Sequence, residues 1–95
     1  MPEPDRQVTI RRLPDGEPQP AVEQSLTGVL LRVELPPGPA NRQFGSGTLV
    51  EVESPKMLYL GEVQSARDLL LSITVEHAVD REALASIQRI WQPPG

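Results

Sequence analysis

The sequence predicts a mainly β protein, a small antiparallel β-barrel followed by a C-terminal α-helix. Apolar and polar residues alternate along four segments, which is the period of a strand with one buried face. These segments are 28–36, 48–54, 57–65 and 69–77. Prolines and glycines separate them, and after Asp80 the apolar spacing changes to three and four residues. Closing such a meander of four or five strands into a barrel removes its exposed edges.

The length and composition favour one small domain with an aliphatic core. The chain has 95 residues, too few for two independent cores. Hydrophobic residues make up 38% and aromatic residues only 3%, so the core must consist of Leu, Val and Ile. We divide the single domain, 1–95, into a proline-rich N-terminal arm (1–20), a β-barrel (21–79) and a C-terminal helix and tail (80–95).

The N-terminal third contains a weak strand signal, a loop and a turn. "QVTIRRL" (7–13) indicates a short strand within the arm. "PDGEPQP" (14–20) predicts a loop, because its prolines discourage regular pairing. "EQSLTG" (23–28) predicts a turn that leads into the first strong strand, 28–36.

The middle of the chain predicts an antiparallel hairpin. Segments 48–54 and 57–65 alternate on either side of a tight turn around Pro55. Gly61 in the second segment predicts a bulge, a sharp bend or a close approach of backbone. A second turn, 66–68, leads to the last strand.

The C-terminal segment predicts a helix that begins near Asp80, whose carboxylate can accept hydrogen bonds from N–H groups of the first turn. Leu84, Ile87 and Trp91 share one helical face, and two prolines end the helix. Trp91 either closes the open end of its own barrel or belongs to an interface with a partner.

The apolar faces predict one common core. Its expected members are Val29, Leu31, Val33, Val50, Val52, Leu58, Leu60, Val63, Leu71, Ile73, Val75, Leu84 and Ile87. For 57–65 the choice of face stays open, because both sides carry apolar residues and Gly61 can shift the register.

The composition also argues against several function classes. Cysteine is absent and His77 is the single histidine, so we expect no metal site, no cofactor, no catalytic residues and no enzyme. The net charge of −4 disfavours nucleic-acid binding. A polar N-terminus and the lack of a long apolar run predict a cytoplasmic protein without a membrane span.

The order of segments from Glu23 onward resembles the PilZ domain. The resemblance rests on "EQSLTG", "GTLVEV", "MLYLGEV" and "LLLSITVEHAVDREAL", and it covers roughly 23 to 88. It implies a six-stranded barrel of the kind that binds cyclic di-GMP in many bacterial proteins.

The resemblance also implies a ligand site whose residues this chain keeps in part. In ligand-binding members a turn of the form [D/N]xSxxG contacts the guanine bases. Ser25 and Gly28 match that turn, whereas Glu23 replaces the Asp or Asn. Its extra methylene displaces the carboxylate by about one bond length, and such sites tolerate little misplacement.

The arginine arm of the family departs further. That arm has the form RxxxR and holds the phosphates through planar, permanently charged guanidinium groups. Here Arg6 is followed four residues later by Ile10, so the spacing is absent. Arg11 and Arg12 are adjacent and stand closer to the turn than the family arm does.

Two hypotheses follow for the function. In the first, the chain is a degenerate PilZ-like module that does not bind the dinucleotide and contacts another protein or a larger signalling assembly. In the alternative, it is a cyclic di-GMP receptor with an altered arm, using Arg11, Arg12, Ser25 and Gly28. They differ in whether the two arginines point across the mouth of the barrel towards Ser25.

Overall fold

The structure is a computed structural model, and it describes residues 6–38 and 42–83. These residues form six β-strands and a helical turn at 81–83. The strands are β1 (Gln7–Arg12), β2 (Gln19–Thr27), β3 (Leu30–Glu34), β4 (Leu49–Glu53), β5 (Met57–Arg67) and β6 (Leu70–Asp80). The predicted mainly β fold is confirmed.

The six strands close into an antiparallel barrel. Their order around the barrel is β1-β2-β3-β6-β5-β4, and β4 pairs back onto β1 with Ile10 opposite Val52. Closure gives every strand a paired neighbour on each side, although residues 23–27 of β2 extend past the start of β1 and pair only with β3. The predicted antiparallel barrel is therefore also confirmed.

The barrel begins earlier in the chain than the sequence predicted. We expected 1–20 to be an arm, but β1 is a barrel strand and β2 already includes Gln19 and Pro20. A proline fits near the start of a strand because it removes only one N–H from the ladder. The N-terminal boundary of the barrel therefore lies at residue 7 and not at 21.

The segment 23–28 is not a turn. β2 continues to Thr27, and the turn consists of Gly28 and Val29 between the paired residues Thr27 and Leu30. Gly28 has φ +59, which suits the first central position of a two-residue hairpin loop. Val29 is 62% exposed at this tip, so its predicted place in the core is wrong.

The long hairpin of β5 and β6 contains two register shifts, one of them at Leu60/Gly61. A Cβ at Gly61 would collide with the carbonyl oxygen of Thr74, so the predicted close backbone approach is confirmed. The turn itself is at Asp68 and Leu69, with Asp68 at φ 53, and not at 66–68. Asp tolerates this left-handed conformation better than most residues.

Mainly aliphatic side chains, together with Phe44 and Tyr59, fill the interior of the barrel. Its buried members are Val8, Ile10, Ala21, Leu31, Val33, Leu35, Phe44, Val50, Val52, Tyr59, Val63, Leu71 and Ile73. Val75 packs partly buried against it. The predicted members Leu84 and Ile87 lie outside the described residues, as does Trp91.

Two parts of the predicted core need correction. Leu58 and Leu60 are only half-buried, and the inward face of β5 carries Tyr59 and Val63 instead. Phe44, in the long loop after β3, is 1% exposed and fills the core from outside the strands. Loop residues have no periodicity, so alternation could not identify it.

The end of β6 is tied to the β4–β5 turn. Asp80 Oδ1 accepts hydrogen bonds from the backbone N–H groups of Glu82 (2.8 Å) and Ala83 (3.1 Å), so the predicted cap is confirmed. Arg81 donates from Nη1 to the Ser54 carbonyl oxygen at 2.8 Å and pairs through Nη2 with Glu53 Oε1 at 3.0 Å. No helix within 6–38 and 42–83 has the length and apolar character needed to cross a membrane.

Candidate functional site

The predicted ligand residues of β2 face opposite sides of the barrel wall. Glu23 pairs with Val33, whose side chain is buried in the core, whereas Ser25 pairs with Arg32, which is exposed. The register shifts between Glu23 and Ser25, so Gln24 is an extra residue that reverses the alternation. The carboxylate and the hydroxyl therefore cannot contact one ligand in the way that the turn motif implies.

Glu23 instead lies within electrostatic reach of Tyr59. Burial raises the pKa of the Tyr59 phenol, and the Glu23 carboxylate raises it further because a phenolate would carry the same sign of charge. Tyr59 is on the inward face of β5 and Glu23 is half-buried. The half-buried Glu23 thus lies at the edge of the core, next to Tyr59.

Arg11 and Arg12 lie at the other end of the β1–β2 ladder from Ser25. Ile10 pairs with Gln19, so the two arginines extend past the start of β2. Gln19 and Ser25 are six residues apart, which is about 20 Å at roughly 3.3 Å per residue. The structure therefore does not bring the two predicted arginines to the predicted serine.

Arg11 is moreover already partnered. Its Nη2 donates to Glu51 Oε2 at 2.7 Å, across the pair where β4 closes the barrel. The side chains retain 35% and 22% of their exposure, so the pair is partly shielded from solvent. Arg12 is exposed at the same end, and its carbonyl oxygen accepts from the Gly16 N–H at 2.7 Å.

A polar row on the outer surface joins Ser25 to residues that sequence reasoning did not single out. The register places Ser25 beside Arg32, Arg32 beside Ser72, and Ser72 beside Ser65. Alternation in 28–36 already put Arg32 on the side opposite Leu31. The hydroxyl groups of Ser25, Ser72 and Ser65 lie in one row with Arg32, and only the pairing of β2, β3, β6 and β5 shows this arrangement.

A depression of about 570 Å³ lies beside the Ser25 and Arg32 end of this row. Its lining consists of Gln24, Ser25, Arg32, Glu34, Arg67, Asp68, Leu69 and Leu70. Gln24 Nε2 donates to Glu34 Oε2 at 2.7 Å, and Arg6 Nη1 donates to the Gln24 carbonyl oxygen at 3.4 Å. Neither Arg32 nor Arg67 forms an ion pair with any residue that the structure describes. We call the depression with the polar row the Arg32 face.

A larger groove of about 860 Å³ lies over the outer side of β1 and β2. Four prolines contribute to its lining: Pro20, Pro36, Pro37 and Pro55. Glu34 is the one charged side chain among its described lining residues. The groove can offer apolar contact, but its described lining holds no pair of groups suited to proton transfer.

The single histidine lies on the outside of the barrel. His77 is exposed on β6 opposite Leu60. Within the described ranges, no group of three or more His, Asp or Glu side chains is placed to hold a metal ion.

Comparison of the chain with protein-family models, with curated protein sequences and with solved structures finds no significant match. The functional argument therefore depends on the residues and their geometry.

Proposed function

We propose that this chain is a non-enzymatic PilZ-like module that acts through protein contacts and does not bind cyclic di-GMP. The observation that carries the proposal is the separation of the ligand groups, with Arg11 and Arg12 about 20 Å along the ladder from Ser25. A receptor of the altered-arm kind needs those groups to converge on one dianionic ligand. Glu23 is also turned to the inner face of β2, away from such a ligand.

The resemblance to the PilZ domain supports the choice of module. A closed six-stranded antiparallel barrel is the architecture that the resemblance implies. In this proposal the partner is another protein or a larger signalling assembly in the bacterial cytoplasm. The exposed hairpin tip around Val29 and the proline-lined groove over β1 and β2 are surfaces that such a partner could cover.

Isothermal titration of the folded chain with cyclic di-GMP tests the proposal. We expect no binding heat at micromolar ligand, because the arm and the turn residues do not meet. The double variant Arg11→Ala/Arg12→Ala serves as a control, since any heat that survives it does not come from the predicted arm. A dissociation constant below about 10 μM, which corresponds to roughly −7 kcal/mol, would contradict the proposal and favour the receptor alternative.

A further inference from the structure

We propose that the Arg32 face binds a phosphate group, through the guanidinium groups of Arg32 and Arg67 and the hydroxyl groups between and beside them. This inference goes beyond the proposed function and stands whether the phosphate belongs to a small molecule or to a phosphorylated side chain. It uses neither Arg11 nor Arg12, which lie at the far end of the β1–β2 ladder.

The register places two arginines on the same outer surface. Arg32 on β3 is two strands away from Arg67 on β5, and β6 lies between them. Two strand spacings and a shift of two residues separate their Cα atoms by about 12 Å. This distance is short enough for the two long side chains to bring their guanidinium groups together over β6 around one anion.

The residues between the two arginines suit an oxyanion. Ser72 is directly beside Arg32, and Leu70 is directly beside Arg67. Ser25, on the other side of Arg32, adds a second hydroxyl donor. Guanidinium binds phosphate with two parallel hydrogen bonds, and hydroxyl groups can donate to the remaining oxygens. Leu70, 36% exposed, adds an apolar surface beside Arg67.

The depression is less acidic than the chain as a whole. Two guanidinium groups, from Arg32 and Arg67, and two carboxylates, from Glu34 and Asp68, line it. Their charges balance, whereas the whole chain carries −4. Arg6 lies beside the depression, where it donates to the Gln24 carbonyl oxygen at 3.4 Å. The Glu34 carboxylate accepts a hydrogen bond from the Gln24 amide at 2.7 Å. Among the described residues, neither Arg32 nor Arg67 forms an ion pair with it or with any other carboxylate.

Titration of the isotope-labelled chain with inorganic phosphate, followed by amide NMR, tests this inference. Ionic strength is held constant with chloride, because salt screens surface charges. We expect saturable shifts at the amides of Ser25, Arg32, Arg67 and Ser72. Arg32→Ala and Arg67→Ala should each weaken binding at least about tenfold, the value of one charge-assisted contact. Both residues are exposed and without described ion pairs, so the fold should survive.

Two further variants separate a site from general charge attraction. Arg12→Ala removes one positive charge from an exposed residue at the end of the β1–β2 ladder that is remote from Ser25. It should leave phosphate binding unchanged. Glu34→Gln removes a carboxylate from the depression, and it should tighten binding about two- to fivefold. Equal losses for Arg12→Ala and Arg32→Ala, or shifts that do not saturate, would overturn the inference.

Two other probes identify the source of the phosphate. O-phosphoserine, with serine as its control, represents a phosphorylated side chain, and cyclic di-GMP represents a nucleotide. Saturable binding of either at the Arg32 face supports the inference. Binding of cyclic di-GMP below about 10 μM would at the same time contradict the proposed function. Absence of saturable phosphate binding would overturn this inference and would leave the proposed function untouched.

Discussion

At the scale of single residues, the strand register turns the carboxylate of Glu23 towards the inner side of the barrel wall. Glu23 pairs with the buried residue Val33 and lies close enough to Tyr59 to raise the pKa of that phenol. Burial is the larger cause of this increase. Glu23, which the sequence pattern assigned to a ligand site, thus contributes to the electrostatics of the core.

Tyr59 is the single tyrosine of the chain, so phenolate absorbance reports it alone. Below pH about 10 the phenol is protonated in both the folded and the unfolded chain. Above that pH the unfolded chain loses the proton first, because the folded pKa is raised. The free energy of unfolding should therefore fall as the pH rises from about 10 towards the folded pKa.

Absorbance titration and urea unfolding at several pH values check this prediction. Tyr59→Phe should remove the contribution of this phenol to the fall in the free energy of unfolding at alkaline pH. Glu23→Gln should lower the Tyr59 pKa towards its ordinary value. A folded pKa at or below about 10 would show that the phenol is not buried as described.

At the scale of elements, the β5–β6 hairpin depends on a glycine. The register shift at Leu60/Gly61 brings the backbone of β6 against Gly61, where only a hydrogen atom fits. The obstruction is the carbonyl oxygen of Thr74, a backbone atom that cannot rotate away. The local bend is therefore encoded by the absence of a side chain at one position.

Gly61→Ala should destabilise the protein by about 1–3 kcal/mol or more, the cost of forcing an extra methyl group into a packed site. Gly45→Ala is the matched control, because a Cβ there meets nothing within 4 Å. It should change the free energy of unfolding by less than about 0.5 kcal/mol. Urea denaturation measures both values, and equal effects would mean that β6 can move away from Gly61.

At the scale of the whole molecule, stability depends on barrel closure by β1. This strand pairs with β2 on one side and β4 on the other, and it places Val8 and Ile10 in the core. Without it, β2 and β4 would each have one unpaired edge. A closed barrel this small has no spare strand that could replace the missing pairing.

Deleting 1–12 should therefore abolish cooperative thermal unfolding and cause association that increases with protein concentration. Circular dichroism and size-exclusion chromatography report the two effects. Deleting 1–5 is the control, and it should preserve the unfolding transition because β1 begins at Gln7. If the longer deletion unfolds like the full chain, β1 does not have the closing role described above.

Several features could be predicted from the sequence because they depend on neighbouring residues. Alternation identified β3 to β6, since a strand with one buried face repeats every two residues. The Asp80 cap and the special position of Gly61 also follow from local chemistry. Val29 was misplaced because the end of a hairpin interrupts that period. Leu60 was misplaced because both faces of β5 carry apolar residues, and the face with Tyr59 and Val63 is the one that lies inward.

By itself, then, the sequence determined the fold class, most of the strands and the mainly aliphatic character of the core, because local periodicity and turn residues encode them. The core positions of Phe44 and Tyr59 were not predicted. The tertiary structure decided which residues meet. The shift at Gln24 sent Glu23 inward and Ser25 outward, and closure of β4 onto β1 engaged Arg11 with Glu51. Cross-strand register joins residues far apart in the chain, so no pattern within one strand could reveal that Ser25 lies beside Arg32 and in line with Ser72.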